Sequence, residues 1–164
     1  MLVLDLIRAF AEDAPIGVVV TDATIEPPGP IIRYANPAFA HLVKRDLDHI
    51  IGQSPRFMQG RETRLETLAT FKQALAAGER FHGYLTNYRG DGTKYRAEID
   101  CRPLRDAGGQ IMHFVAFERE VVRRVGRPAA GAAGRYQPID AGEDALTGAL
   151  RALSVFGETD AERR

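Results

Sequence analysis

The chain has 164 residues, 45% of them hydrophobic, and its 22 Lys and Arg are balanced by 22 Asp and Glu. That length suits one domain with extensions, and a zero net charge gives no field to draw in nucleic acid or an anionic membrane. A single cysteine excludes an internal disulfide and a Cys-rich zinc site.

No apolar run approaches the roughly 18 residues of a membrane span, and the four histidines show no ligand spacing. The first 13 residues lack a basic leader and a cleavage site. A cytoplasmic protein without a metal is expected.

Residues 1–13 read as an amphipathic helix, with Leu2, Val3, Leu6, Ile7 and Phe10 at helical spacing. Ala14-Pro15 stops it, because proline disfavours helix in the residue before it. This helix either caps the domain edge or joins two chains. A strand follows at 16–21, a Pro-rich loop at 21–30, and a second strand at 31–36. Asn36-Pro37 then opens a helix running to about Val43, an Asn cap followed by Pro at the first helical position. Residues 46–51 form one more short turn, closed by Gly52.

The longest helical pattern covers 63–77, with Thr63 and Glu66 spaced as a capping box. Leu65, Leu68 and Leu75 share an apolar stripe with Lys72, whose ammonium must snorkel outward or meet an anion. Gly78 ends the helix. Three strands at about 81–89, 93–104 and 110–120 are joined by Gly/Asp turns, so this part of the sheet is antiparallel. In the middle strand Tyr95, Ala97, Ile99, Cys101 and Pro103 face one way, and Arg96, Glu98, Asp100 and Arg102 the other. The last strand is apolar on both faces, which requires cover on both. The N-terminal helix, the tail or a second copy of the chain can supply it.

Residues 121–142 read as a flexible linker, with Gly, Ala and Pro dominating from Arg127. A second amphipathic helix and a polar tail occupy 143–164, with Leu146, Leu150 and Leu153 on one stripe. The predicted fold is α+β, a five-stranded antiparallel sheet with helices on one face around an apolar pocket.

This order of elements, with ANPAF after the second strand, resembles the PAS superfamily over residues 14–120. Within it the resemblance is to the LOV (light-oxygen-voltage) domains, blue-light receptors that bind flavin mononucleotide (FMN). Their motif is close to GxNCRFLQG. Here residues 52–60 read GQSPRFMQG, 85–92 read LTNYRGDG, and 102–110 read RPLRDAGGQ. The family's photoreactive cysteine falls on Pro55, which has no nucleophile, so the resemblance implies a flavin site without the cysteinyl-adduct photocycle.

The other implied contacts carry over one position at a time. The ring and side-chain asparagine falls on Ser54. The ribityl-side glutamine is kept as Gln59. The first phosphate arginine is kept as Arg56, and the second falls on Lys72, which retains charge without the fork. Of two asparagines at the ring edge, one is kept as Asn87 and the other falls on Ala97. The responsive glutamine of the last strand falls on Glu118. A missing partner at Ala97 costs about 1–3 kcal/mol, which is about ten- to a hundredfold in affinity. Ile99 and Cys101 share the pocket face. Cys101 reads as a buried hydrophobe or, alternatively, as a thiol beside the flavin ring.

The functional expectation is a sensory module that binds FMN or another small ligand and signals through its flanking helices. The alternative is a ligand-free PAS interaction or dimerisation domain. No Ser/His/Asp order, paired carboxylates or phosphate-cradling loop points to an enzyme, and the basic run RRVGR at 123–127 is too short to suggest nucleic acid. A homodimer and a separate signalling output protein are the expected partners, with no nucleic acid and no membrane.

Overall fold

The computed structural model describes residues 2–126, 135–139 and 145–157, with backbone alone at 2, 145 and 146. Four helices and six strands alternate with two 3-10 turns: α1 (Leu2–Ala11), β1 (Gly17–Asp22), β2 (Ile32–Ala35), α2 (Pro37–Val43), α3 (Leu65–Ala77), β3 (Phe81–Tyr88), β4 (Lys94–Arg105), β5 (Ile111–Arg123), β6 (Tyr136–Pro138) and α4 (Ala145–Ala152). The sheet is antiparallel in the order β2-β1-β5-β4-β3, and β6 pairs with the end of β5.

Asn36 explains how the first third of the chain closes. Its side chain accepts from Val18 N and from Phe39 N, capping α2, and donates to the carbonyls of Ala11 and Ile16. One fully buried amide therefore ties the end of α1, the start of β1 and the start of α2, with all its hydrogen-bonding capacity used. α2 and α3 cover the inner face of the sheet, where Phe39, Val43 and Leu75 pack with Val19, Ile99 and Phe114.

The outer face is covered as well. Leu4, Ile7 and Ala11 of α1, Leu150 of α4 and Val155 pack on Val18, Val20 and Val115. Tail and N-terminal helix thus share the task that the doubly apolar β5 sets. The inward stripe of α1 is not the expected one. Val3, Leu6 and Phe10 are 39%, 57% and 65% exposed, because an apolar helix with two usable faces turns the one that fits the sheet.

Three further expectations are corrected. α3 begins at Leu65 with no side-chain cap. Thr63 is engaged elsewhere, accepting from Gly60 N and donating to Thr86 O, so the capping box does not form. The expected linker 121–142 contains structure: β5 runs on to Arg123, and Tyr136–Pro138 adds a sixth strand beside it. Leu146 lies outside the described side chains, and so does Leu2. Leu153 is exposed, leaving Leu150 to make the α4 contact.

The outer face also buries charge. Asp100 receives Arg80 and Arg102, with contacts of 2.8 and 3.0 Å, and the Phe156 N–H at 2.8 Å. Arg80 goes on to donate to the carbonyls of Ser154 and Gly157, and Arg102 to that of Leu153. Burial pushes the Asp100 carboxyl up, but these donors outweigh it and hold it below the usual carboxylate range. The segment after α4 is therefore fastened to the centre of the sheet by one carboxylate.

Candidate functional site

Residues 52–60 shape one wall of a cavity between α3 and the sheet. Pro55 cannot donate a hydrogen bond and sits at the start of a 3-10 turn, Pro55–Met58, capped by the Ser54 hydroxyl. The turn projects Arg56 towards the loop between β1 and β2 and buries Met58 in the core. Gly60 is required by packing, since a Cβ there would run into the Tyr88 ring.

The cavity measures about 250 Å3. Its walls are mostly apolar, with Phe71, Leu75, Ile99 and Phe114 on facing sides. Seven of the nine expected residues meet there: Ser54, Arg56, Gln59, Lys72, Ile99, Cys101 and Glu118. Asn87 and Ala97 do not line it. Asn87 reaches it through Glu118, and Ala97 is packed in the core opposite Leu85 and Glu120.

At one end stand the two cations. Arg56 donates to the carbonyls of Gly29 and Ile25. Lys72 meets an anion, the Glu26 carboxylate at 3.2 Å, so of the two outcomes open to it the ion pair is the one adopted. All three partners come from the β1–β2 loop. The Lys72–Glu26 pair is largely exposed, and its own contribution to stability is small.

At the other end is Glu118, 3% exposed and placed by the sheet register between Gly17 of β1 and Ile99 of β4. Its Oε1 accepts from the Tyr95 hydroxyl at 2.6 Å and from Asn87 Nδ2 at 3.3 Å. Burial pushes its pKa up from 4.5 to about 7, and the two hydrogen bonds offset only part of that. Tyr95 is raised by burial and by the neighbouring carboxylate. Glu118 also lines a second cleft of about 660 Å3, bounded by β6 and by Thr147 and Arg151 of α4. It is thus a wall shared between the inner cavity and the terminal segments.

Tyr95 was absent from the expected site. The signal for it was present, since it lies two residues before Ala97 on the same face of β4. Cys101 lies in the cavity wall, and burial together with the adjacent Asp100 raises its thiol pKa. A thiol held protonated in this way is a poor nucleophile. Among the described residues, no group of three or more His, Cys, Asp or Glu can hold a metal ion, and no helix is long and apolar enough to cross a membrane.

A family model described as a PAS domain matches residues 15–122. The chain belongs to the PAS domain family. This PAS domain is 34% identical over 114 residues to a bacterioopsin transcriptional activator of Halobacterium salinarum, covering 70% of the chain and 17% of that protein. It is 29% identical over 123 residues to a blue-light-activated histidine kinase of Brucella ovis, covering 75% of the chain and 25% of the kinase. Among solved structures it is similar to a light-oxygen-voltage domain whose mechanism was probed with a flavin analogue. The TM-score is 0.63 at 25% identity, over 73% of the chain and 84% of that domain. The PAS domain spans about a quarter or less of the curated relatives it matches, and what it shares with them is a sensory fold.

Proposed function

We propose that this PAS domain holds FMN in the cavity behind α3 and signals without a cysteinyl adduct, through Glu118, to the segments on the outer face. The observation that carries the reading is the position of Glu118 in the wall common to the inner cavity and the cleft beside α4. The similarity to a light-oxygen-voltage domain studied with a flavin analogue, and to a blue-light-activated kinase, supports it.

The residues fit the cofactor at both ends. Glu26 already holds on Lys72 the place of an anion, which a phosphate would take by charge-assisted bonds from Lys72 and Arg56. The other end offers Glu118, Tyr95 and Asn87, and the walls between are apolar. At about 250 Å3 the cavity is just below the roughly 300–1,000 Å3 of ligand pockets, so binding requires the β1–β2 loop to give way. When bound, a flavin supplies blue-light absorption and electron exchange. The chain's own residues orient it, exclude water and hold one proton at Glu118 that is poised near neutrality. Output then passes to a separate signalling protein.

The test is the visible absorption of the protein purified with FMN. A structured flavin band is expected, with bleaching in blue light when a sacrificial electron donor is added to reduce the flavin, recovery as oxygen of the air reoxidises it, and both unchanged in Cys101→Ala. A colourless protein after refolding with excess FMN overturns the flavin assignment.

One observation favours self-association as an additional property. Val3, Leu6 and Phe10 form an exposed apolar face on a helix already anchored by its other side. The occupant proposed for this face is the same face of a second copy, which matches its own lack of charge. Leu6→Glu with Phe10→Glu is expected to convert a dimer to a monomer in sedimentation velocity while the far-ultraviolet circular dichroism stays the same. An unchanged sedimentation coefficient removes α1 from the interface.

A further inference from the structure

The outer face carries a second concavity, of about 740 Å3, whose lining belongs neither to the cavity behind α3 nor to the α4 cleft. Four arginines from four separate places in the chain converge on it. Arg64 precedes α3, Arg96 lies on β4, Arg123 ends β5 and Arg135 precedes β6. Elsewhere, Arg33, Arg80, Arg89, Arg102 and Arg119 each pair with a carboxylate. Among the described residues, none of the four in the cleft does. Glu62, the acid at its rim, is engaged by Lys94.

Arg96 is held in place within the cleft. Its Nη1 donates to the Thr86 hydroxyl at 3.2 Å, and its guanidinium lies 5.4 Å from the centre of the Tyr136 ring. Its Nε is buried with no hydrogen-bond partner among the described residues. That atom is closed to a ligand as it is to water, so Arg96 contributes its positive charge to the cleft and not a free Nε donor. Beside it Tyr84 and Tyr136 stack, with ring centres 4.5 Å apart, so the basic cleft has an aromatic wall.

We propose that this cleft binds a nucleoside di- or triphosphate. Guanidinium forks match phosphate oxygens two at a time, and four of them call for several negative charges on one ligand. The stacked tyrosines offer a face to an aromatic base. The volume suits a nucleotide. The four arginines come from separate places in the chain and meet in one concavity of about 740 Å3, which favours a compact ligand of several negative charges. The short basic run at 123–127 accordingly supplies one ligand-binding arginine, and the other three come from elsewhere in the fold.

The experiment is isothermal titration of the whole chain at low ionic strength with ATP, GTP, ADP and inorganic pyrophosphate, beside a single-stranded RNA oligomer. A nucleoside triphosphate is expected to bind more tightly than pyrophosphate. Arg64→Gln, Arg123→Gln and Arg135→Gln are each expected to weaken binding roughly tenfold. These exposed side chains make no hydrogen bond among the described residues, so the variants are expected to fold, and circular dichroism checks it. Arg56→Gln, in the inner cavity, is expected to leave nucleotide binding unchanged, which separates this site from the proposed flavin site. The proposal is overturned by no binding at millimolar nucleotide, by affinities that ignore the three substitutions, or by pyrophosphate binding as tightly as nucleotide. RNA binding without mononucleotide binding also overturns it and makes the cleft a nucleic-acid surface.

Discussion

Replacing Asp100 by Ala is expected to destabilise the domain by about 3–5 kcal/mol, a fall in Tm of roughly 10 °C or more. The carboxylate is 0% exposed and holds two guanidinium groups and one backbone N–H. Removing it leaves Arg80 and Arg102 charged against a buried face. Their side chains are 18% and 28% exposed, which lets water screen part of the damage and places the loss toward the lower end of that range. A second consequence is local. The Phe156 N–H loses its acceptor, and the arginines that grip the carbonyls of Leu153, Ser154 and Gly157 lose their anchor. Limited proteolysis is expected to cut the segment after α4 in the variant well before the sheet. Arg102→Ala, which leaves the Arg80 pair intact, is expected to cost less. If urea denaturation of the Asp100 variant gave a midpoint near that of the parent protein, the network would be a surface decoration and not the fastening of the tail.

How far this arrangement was legible in the sequence depended on the reach of each interaction. Asn36-Pro37 announced α2 because a cap acts within three residues, and Gly78 announced the end of α3 for the same reason. The alternation of Tyr95, Ala97, Ile99 and Cys101 placed one face of β4 correctly, since the strand period is local geometry. Thr63 and Glu66 had the spacing of a capping box, yet the Thr63 hydroxyl donates to Thr86, 23 residues away, and a long-range partner won over a local one. Likewise, Glu98 and Asp100 alternate outward like solvent-facing residues. They are buried because Arg80 just before β3, Arg102 of β4, Arg119 of β5 and His82 of β3 come to them. β6 was unreadable for a different reason. Three residues carry almost no period, and their pairing with β5 exists only once the sheet does. At the site, the family resemblance pointed to Ser54, Arg56, Gln59, Lys72 and Glu118 and strand alternation to Ile99 and Cys101, all of which line the cavity, whereas the Tyr95–Glu118 hydrogen bond required the register of β4 against β5.

Glu118→Gln is expected to stabilise the ligand-free protein above neutral pH and to abolish one component of its pH dependence. The carboxyl has a pKa of 4.5 in an open chain and about 7 in the fold, with burial as the cause. Between these values the folded state holds a proton that the unfolded state has released. Stability therefore falls as pH rises from about 4.5 through about 7, and the contribution of protonated Glu118 is fully present only below that window. The displacement corresponds to about 3 kcal/mol. A glutamine of the same shape keeps an oxygen for Tyr95 and Asn87 and carries no charge, so the variant escapes the penalty. Urea denaturation of both proteins across pH isolates the effect, because every other titrating group is common to the two. The stability difference is expected to be near zero at pH 4 and close to its full value at pH 8. A difference that stays constant with pH would mean that Glu118 is not titrating in the cavity. The same property bears on the signalling route proposed above. A carboxyl poised near neutrality changes its protonation when the charge beside it changes, and here it does so in a wall shared with the cleft at α4. A glutamine in that place can only reorient. Pro55 offers the cavity no nucleophile, whereas Glu118 offers it a group that can hold or release a proton.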